Sequence, residues 1–421
     1  MTRVGNTVAS GASPDYRATT TRALAPSSNL SSDRARATFS VSAIISPVLI
    51  ASLIGASCRS DSIASVGPDT IASADSMRPT LVRTVLVNGL SNPWDIAFLP
   101  NGEMLITERV GRVRLRRVNG DLVTVAQPTD VVVGGEGGML GMTIDPDFST
   151  NRFVYTCFSS SKGSSNDNRL VRWTLSADGT SLNARTDIVT GMPWANGGRH
   201  SGCRPRFGPD AQLWVGTGDA AVGTNSQNLA VLGGKVLRVT RDGAASVGNP
   251  AIAGADARIY TYGHRNVQGI AFHPVSGAAF SVEHGPSFDD EVNKLQAGAN
   301  AGWNPIPGYN ESVSMTNLQL YPTAMHAVYS TGSPAKGSSG GTFITGDNWK
   351  AYKNSFAIAQ LVGSRMLVLT FSPDGSVKDT IPLFSDLNTR LRVPVMGPDG
   401  ALYITTDEPS GAGQIWRVAA H

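Results

Sequence analysis

The chain has 421 residues, of which 41% are apolar and only 16% are charged, and it contains 46 glycines. This composition excludes a disordered chain and favours many short strands joined by turns over a helical protein. Residues 1–58 hold five arginines and two aspartates, which accounts for the whole formal net charge of +3. Because the rest of the chain is neutral overall, it has no basic field to attract nucleic acid or an anionic membrane.

Residues 1–58 are predicted to be an export signal. The uncharged apolar run FSVSAIISPVLIASLIGAS follows Arg34 and Arg36. It is too short and too broken by Pro47 for a membrane span, which needs about 20 apolar residues. A basic flank, an apolar middle and small residues before a cleavage site describe a secretory signal instead.

The end of this run, Gly55-Ala56-Ser57-Cys58, resembles a bacterial lipoprotein box, in which the cysteine is lipidated after cleavage. A lipid on Cys58 would be the protein's attachment to a membrane. The alternative is an ordinary secretory signal with a free cysteine, because Gly55 stands where such a box usually has leucine. Residues 59–79 are predicted to be a disordered tether. Both alternatives predict an exported protein, either periplasmic, on the cell surface or secreted.

Beyond the leader there are two cysteines, Cys157 and Cys203. They lack the paired spacing of a zinc site. A disulfide between them is one interpretation, but the sequence does not give their separation. Buried free thiols are the expected state.

From residue 80 onward one pattern recurs, in which apolar residues precede a proline, an Asp, Asn or Gly turn and alternating apolar residues. Each copy is interpreted as two strands joined by a tight turn, because proline followed by Asp or Gly sets the dihedral angles of such turns. The prolines are 46, 63, 65 and 124 residues apart, and they are Pro100, Pro146, Pro209, Pro274 and Pro398. Since 124 is twice 62, a sixth, degenerate copy is expected between residues 330 and 375.

Units of roughly 45–65 residues hold four short strands, which is the size of a propeller blade. The predicted fold is therefore all-β, a six-bladed β-propeller of four-stranded antiparallel blades that occupies residues 80–421. A β-sandwich would not repeat the turn at this interval. Loops from every blade converge on a propeller's axis, so polar residues far apart in sequence can meet there.

The segment RHSGCRPRFGPDAQLWVGTGD places His200 before a predicted strand and Asp219 after it. If the neighbouring strand runs back, the two residues lie at related ends of one blade. A carboxylate beside a histidine orients the ring and supports the imidazolium, so the pair suits a general base. The alternative is a histidine that is hydrogen-bonded for structural reasons.

A second segment, YGHRNVQGIAFHP, holds Arg265 and Asn266 before a strand. The segment VEHGPSFDDEVNKL follows it and contains His284, Gly285 and Pro286. A Gly-Pro turn frees backbone carbonyls to point outward, and hard cations such as calcium are held by such oxygens.

Two charged segments have two interpretations each. The acidic residues 289–291 belong either to this metal loop or to a solvated turn in which Glu291 bonds the backbone. Arg390 and Arg392 alternate along a predicted strand and therefore share a face, where both guanidinium groups could clamp one polyanion. An exposed strand face is the alternative for this pair.

Residues 80–418 resemble the soluble quinoprotein sugar dehydrogenases, the glucose/sorbosone and aldose sugar dehydrogenase group. Five motifs occur in order: GGEGGMLGMTIDPDF, RHSGCRPRFGPD…GTGD, YGHRNVQGIAFHP, EHGPSFDDEVN and AGANAGWNP. The resemblance implies a six-bladed propeller that uses pyrroloquinoline quinone (PQQ) and calcium. It further implies oxidation of an aldose at its anomeric carbon to the lactone by hydride transfer to PQQ, and an external electron acceptor.

The resemblance also implies roles for the matching catalytic residues. His200, in the pattern H-x-G-x-R, would take the proton from the anomeric hydroxyl, and Asp219 would support it. Arg265 would contact the cofactor and stabilise charge that grows on the quinone oxygen. Asn266 and His284 would contact the cofactor as well.

The remaining implied roles concern the cofactor carboxylates, the metal and the substrate. Arg390 and Arg392 match the pair that grips the PQQ carboxylates. The carbonyls of Gly285 and Pro286 match the ligands of a calcium ion, which would polarise the quinone as a Lewis acid. Glu136 matches a polar pocket residue that faces the substrate.

Trp303 is expected to wall the sugar pocket, because it lies in the glycine-rich loop AGANAGWNP. Three departures from the family pattern bear on PQQ affinity and substrate range. A cationic residue of the glucose dehydrogenase branch is replaced near Val362. Arg199 stands where that branch has an acid, and Val393 replaces an acid after the Arg-x-Arg pair.

Two other function classes fit the same fold. A calcium-dependent, lactonase-like hydrolase needs metal-held carboxylates and no place for a tricarboxylate, so Arg390 and Arg392 argue against it. A non-catalytic ligand-binding propeller need not keep a base, so His200 with Asp219 argues against it. The predicted function is therefore a PQQ-dependent aldose dehydrogenase.

Overall fold

The computed structural model describes residues 69–71 and 77–421, so the predicted export signal lies outside the described residues. The strands form six antiparallel sheets, five with four strands and one with five, which confirms the predicted six-bladed propeller. The first strand of each sheet contacts the first strand of the next one, and the ring closes on itself.

The strands are numbered in chain order and grouped here by sheet. The two that precede the first complete blade are β1 (Asp69–Ile71) and β2 (Leu81–Leu90). The first three blades are β3 (Pro93–Phe98), β4 (Met104–Glu108), β5 (Arg112–Arg116) and β6 (Leu122–Ala126); β7 (Met139–Ile144), β8 (Phe153–Ser160), β9 (Asp167–Leu175) and β10 (Leu182–Met192); and β11 (Gly202–Phe207), β12 (Leu213–Thr217), β13 (Lys235–Val239) and β14 (Ile259–Tyr262).

The remaining blades are β15 (Val267–Phe272), β16 (Ala279–Glu283), β17 (Glu291–Lys294) and β18 (Tyr329–Ser330); β19 (Ser338–Phe343), β20 (Phe356–Gln360), β21 (Arg365–Phe371) and β22 (Val377–Leu383); and β23 (Leu391–Met396), β24 (Leu402–Thr406) and β25 (Gly413–Ala420). The described helices are short: α1 (Phe148–Asn151) and the 3-10 helices Asp347–Tyr352 and Ser385–Leu387. Within residues 69–71 and 77–421, no helix has the length and apolar character needed to cross a membrane.

The recurring proline turn is the hairpin between the first and second strands of a blade. Pro100, for example, lies between β3 and β4, and Pro398 lies between β23 and β24. The sixth copy spans residues 338–360 in blade five. There the connection is longer and contains the helix Asp347–Tyr352 instead of a proline turn, which hides the repeat in the sequence.

The apolar core lies between successive blades. Strand β5 shows the cause, because Val113 and Leu115 alternate with arginines and are completely buried. One cluster combines these two side chains with Val154 and Phe158 of the next blade. Alternation along a strand thus gives each sheet an apolar face for its neighbour.

The last blade takes strands from both ends of the described chain. Strand β25 pairs with β2 on one side and with β24 on the other, and β1 adds an outer strand to β2. Arg83 of β2 forms an ion pair with Asp69 of β1. The prediction of a disordered tether over residues 59–79 is therefore wrong for residues 69–71, whose backbone groups pair with the edge of the sheet.

Cys157 and Cys203 form a disulfide with their Cα atoms 5.4 Å apart, so the expectation of free thiols is wrong. Cys157 lies on β8 and Cys203 on β11, so the bond joins blades two and three. Cys203 follows His200 by three residues, which fixes the start of β11 close to that histidine.

Candidate active site

The predicted site residues meet at one end of the propeller axis. The first and second strands of a blade are antiparallel, so the start of one and the end of the other lie at the same edge. His200 and Arg265 precede the first strands β11 and β15, whereas Asp219 and His284 follow the second strands β12 and β16. The proline turns occupy the opposite end.

His200 and Asp219 form a buried pair. The His200 Nδ1 atom lies 2.8 Å from Asp219 Oδ1, and the two side chains are 2% and 0% exposed. Because Nδ1 faces the carboxylate, Nε2 is the ring nitrogen left to act as a base. His200 adopts a φ of 51°, and Gly218 fits beside it only as glycine, because a Cβ there would lie 1.8 Å from the His200 carbonyl oxygen.

Asp219 accepts four hydrogen bonds. Besides His200, the Ala221 N–H donates to Oδ1 over 2.8 Å. Trp303 Nε1 and Tyr309 Oη donate to Oδ2 over 2.8 and 2.7 Å. Trp303 has no exposed surface, so the expectation that it walls a sugar pocket is wrong; it positions Asp219 instead.

Tyr309 belongs to none of the sequence motifs and lies on the loop between β17 and β18. Its Oη lies 2.9 Å from His200 Nδ1 as well as beside Asp219. Burial and the Asp219 carboxylate raise the pKa of the Tyr309 hydroxyl above its ordinary value. The hydroxyl therefore stays protonated and remains a donor to Asp219.

Glu311, on the same loop, lies outside those motifs as well. Its Oε1 accepts hydrogen bonds from Arg199 Nη2 over 2.9 Å and from Arg265 Nη2 over 2.5 Å. Burial opposes its ionisation, but the bond and charge of Arg265 outweigh burial and keep the pKa of Glu311 below its usual value. The two arginines and this carboxylate line the cavity that contains His200, which has a volume of about 320 Å³.

Glu136 lies between this cavity and a second one of about 210 Å³, and both cavities share Glu136 and His284. Its Oε2 accepts hydrogen bonds from Asn266 Nδ2 over 2.8 Å and from Gln268 Nε2 over 3.1 Å. Burial raises the pKa of Glu136. The charges of His200 and His284 and the hydrogen bond from Asn266 lower it by more, so the pKa lies below its ordinary value. The Glu136 carboxylate is thus held where a ligand in either cavity would contact it.

The second cavity is lined by three guanidinium groups, those of Arg109, Arg390 and Arg392, and by Asp407. Asp407 Oδ2 lies 3.0 Å from Arg392 Nη2 and 3.4 Å from Arg390 Nη2. Arg392 also donates through Nη1 to Gln268 Oε1 over 2.9 Å and is only 5% exposed, which rules out the exposed strand face for this residue.

These guanidinium groups fit a polyanionic ligand. The Nε atoms of Arg109 and Arg392 are buried and have no hydrogen-bond partner within the described part of the chain. Guanidinium groups bind carboxylates through paired N–H donors, so unused donors around one cavity suit a tricarboxylate such as PQQ.

The turn at Gly285 and Pro286 is tight. A Cβ on Gly285 would lie 2.3 Å from the Phe288 carbonyl oxygen, and Asp290 Oδ1 accepts the Gly285 N–H over 3.0 Å. Arg265 Nη1 donates to the Gly285 carbonyl over 2.9 Å. A carbonyl oxygen has a second lone pair, so this bond leaves room for a cation ligand.

Asp290 and Glu291 are buried, so the interpretation of residues 289–291 as a solvated turn is wrong for these two. Glu291 accepts hydrogen bonds from the side chains of Thr316 and Asn293 and not from the backbone. Over residues 69–71 and 77–421, no group of three or more His, Cys, Asp or Glu side chains could hold a metal ion. A cation at this turn would therefore depend on carbonyl oxygens.

Residues 90–417 match the model of the Glucose / Sorbosone dehydrogenase family. The chain belongs to the glucose/sorbosone dehydrogenase family. One relative is the aldose sugar dehydrogenase YliI of Escherichia coli, 32% identical over 338 residues, which are 78% of this chain and 90% of that protein. Another is quinoprotein glucose dehydrogenase B of Acinetobacter calcoaceticus, 30% identical over 54% of this chain and 53% of that protein.

One solved structure is also similar to this chain. It is the PQQ-bound form of the aldose sugar dehydrogenase from Streptomyces coelicolor, with a TM-score of 0.67, 28% identity, and coverage of 81% of this chain and 98% of that one. The family resemblance predicted from the five motifs is thereby confirmed. Val362, near which the resemblance implied the loss of a cationic residue, lines the arginine cavity and is 65% exposed.

Proposed function

We propose that the protein is an exported, PQQ- and calcium-dependent aldose dehydrogenase that oxidises the anomeric carbon of a sugar to the lactone. The observation that carries this proposal is the junction of two cavities at Glu136 and His284. One cavity is lined by His200, the base of the buried pair, and the other is lined by the arginines suited to a tricarboxylate. A PQQ-bound relative with the same fold supports the choice of cofactor.

In the proposed reaction, His200 Nε2 accepts the proton of the anomeric hydroxyl. Asp219 holds the ring through Nδ1 and stabilises the imidazolium that forms. Arg265 lines this cavity, where its guanidinium group would stabilise negative charge on the cofactor. Asn266 has no exposed surface and acts on the cavity through its hydrogen bond to Glu136. PQQ, when bound, would accept the hydride from the anomeric carbon with its two electrons. The carbonyls of Gly285 and Pro286 are the groups that would hold a calcium ion, which would supply Lewis-acid polarisation.

Two alternatives are weaker. A lactonase-like hydrolase requires carboxylates that hold a catalytic metal, and the described residues contain no such cluster. A ligand-binding propeller without activity would have no use for a histidine whose Nδ1 is fixed by a carboxylate with four donors.

Export rests on the sequence of residues 1–58, including the lipoprotein-like end at Cys58. An exported dehydrogenase passes its electrons to an acceptor outside the cytoplasm. Mass spectrometry of the mature N-terminus from membrane and soluble fractions would test both the cleavage and the lipid.

The activity is tested with the purified protein, PQQ, calcium and a panel of aldoses, with dye reduction as the readout. We expect turnover that requires both additions, and a loss of about 10²–10⁴-fold in kcat for His200→Ala, the usual contribution of a general base. The variant's melting temperature and PQQ affinity serve as controls. Tight PQQ binding without any turnover would contradict the proposal.

A further inference from the structure

Arg109 lies at the arginine cavity, although no motif in the sequence singled it out. It directly follows β4, the second strand of blade one, just as Asp219 follows β12 in blade three. Because the ends of second strands gather at the same mouth, its guanidinium lies beside Arg390 and Arg392. Its position in the fold is therefore that of a site residue.

Few of the Arg109 donors have strong partners. Nη1 donates to the Gly135 carbonyl, and Nη2 lies 3.4 Å from Asn92 Oδ1, which makes a weak bond. Nε is buried without a partner among the described residues. Asp407 forms ion pairs with Arg390 and Arg392 but not with Arg109.

The charges around the cavity are unbalanced. Three guanidinium groups face two carboxylates, those of Asp407 and Glu136. Burial lowers the pKa of Arg109; Asp407 opposes this effect, while Arg392 and Arg390 add to it. A guanidinium still stays charged, so an anion placed among the three would relieve their repulsion.

We propose that Arg109 is a carboxylate-binding residue of the cofactor cavity, which gives a tricarboxylate quinone a third guanidinium partner. Both Arg109 and Val362 line this cavity, and Arg109 supplies the positive charge that the uncharged Val362 cannot. This inference rests on the proposed function, since PQQ is the ligand that it concerns. The competing interpretation is that Arg109 only supports the Gly135 loop that carries Glu136.

The test is a titration of the full chain with PQQ in the presence of calcium, followed by tryptophan fluorescence. Arg109→Gln removes the charge, Arg109→Lys keeps it without the paired donors, and Lys378→Gln removes an exposed charge from β22 as the matched control. We expect Kd to rise about 10–100-fold for Arg109→Gln, as for one lost charge-assisted pair, and less for Arg109→Lys. Lys378→Gln should remain within about twofold of the unchanged protein.

Two further measurements separate the outcomes. The melting temperature without ligand reports folding, and the KM for the aldose at saturating PQQ reports the Glu136 loop. An unchanged KM with a raised Kd supports the inference, whereas an unchanged Kd for Arg109→Gln, or a raised KM with an unchanged Kd, overturns it. If Arg109→Gln has a lowered melting temperature, the inference is tested instead by comparing the Kd for PQQ of Arg109→Lys with that of the unchanged protein.

The proposed function has its own outcomes in this experiment. PQQ binding by the unchanged protein without sugar-dependent dye reduction would contradict the dehydrogenase but leave the Kd comparison valid. No PQQ binding by the unchanged protein would overturn both.

Discussion

One hydroxyl, Tyr309 Oη, contacts both members of the base pair, at 2.7 Å from Asp219 Oδ2 and 2.9 Å from His200 Nδ1. Tyr309→Phe removes a donor from Asp219, so the carboxylate should attract the imidazolium proton more strongly. We expect the acid limb of the pH profile of kcat/KM to move to higher pH, with a several-fold loss of activity at neutral pH. Steady-state kinetics from pH 5 to 9 would measure this shift.

Tyr155→Phe is the matched control for this prediction. Tyr155 is also buried and donates to a carboxylate, Asp145, over 3.0 Å, but it lies in the β7–β8 hairpin at the opposite end of the axis. It should lower stability and leave the pH profile unchanged. Equal profiles for all three proteins would show that Tyr309 has only a structural role.

Trp303→Phe should reduce both stability and activity. The change removes the Nε1 donor from the buried Asp219 carboxylate, which costs about 1–3 kcal/mol of unfolding free energy. Trp349→Phe removes a similar bond, from Nε1 to the Gly400 carbonyl at 2.9 Å, from an equally buried tryptophan in blade five. Denaturant unfolding should show comparable losses of unfolding free energy for the two variants, whereas kcat should fall only for Trp303→Phe.

Reduction of the Cys157–Cys203 bond should destabilise the propeller. The cysteines are 46 residues apart in sequence. A bond that closes a loop of that length lowers the entropy of the unfolded chain and so stabilises the folded protein by about 4 kcal/mol. We expect a reductant to lower the melting temperature of the unchanged protein, but not that of the Cys157→Ala/Cys203→Ala variant. Equal melting with and without reductant would contradict a formed bond.

Asp407→Asn should destabilise the protein in a pH-dependent way. Burial raises the pKa of Asp407, but Arg392 and Arg390 outweigh it, so the folded-state pKa lies below the usual value of about 3.8. The stability that Asp407 adds is therefore present above about pH 4 and is lost as the pH falls through the lowered pKa. Urea unfolding should show a deficit of about 3 kcal/mol at pH 7 that shrinks at pH 3. A deficit that does not change with pH would count against the ion pairs.

The fold was predictable because each repeat contains a turn that requires particular residues. Turns such as those at Pro100 and Pro398 need particular residues, so they recur wherever a blade begins. His200 and Asp219 were predictable for a related reason, since residues next to strand ends meet at one mouth. The same rule would have found Arg109 and Asp407, which directly follow β4 and β24.

Other features depend on distances that no local pattern records. Tyr309 and Glu311 lie in the long connection between β17 and β18, and nothing in its spacing shows that it folds back over His200. The glycine-rich loop around Trp303 indicated a tight approach but not the direction of the indole. The bond between Cys157 and Cys203 follows from the stacking of blades two and three.

Strand β25 closes the ring, because it pairs with β2 on one side and with β24 on the other. A polypeptide that terminates before Gly413 would leave blade six with two open edges, and open edges invite proteolysis and aggregation. Arg392 and Asp407 belong to that blade. Removal of β25 would therefore weaken a wall of the site together with the closure of the ring.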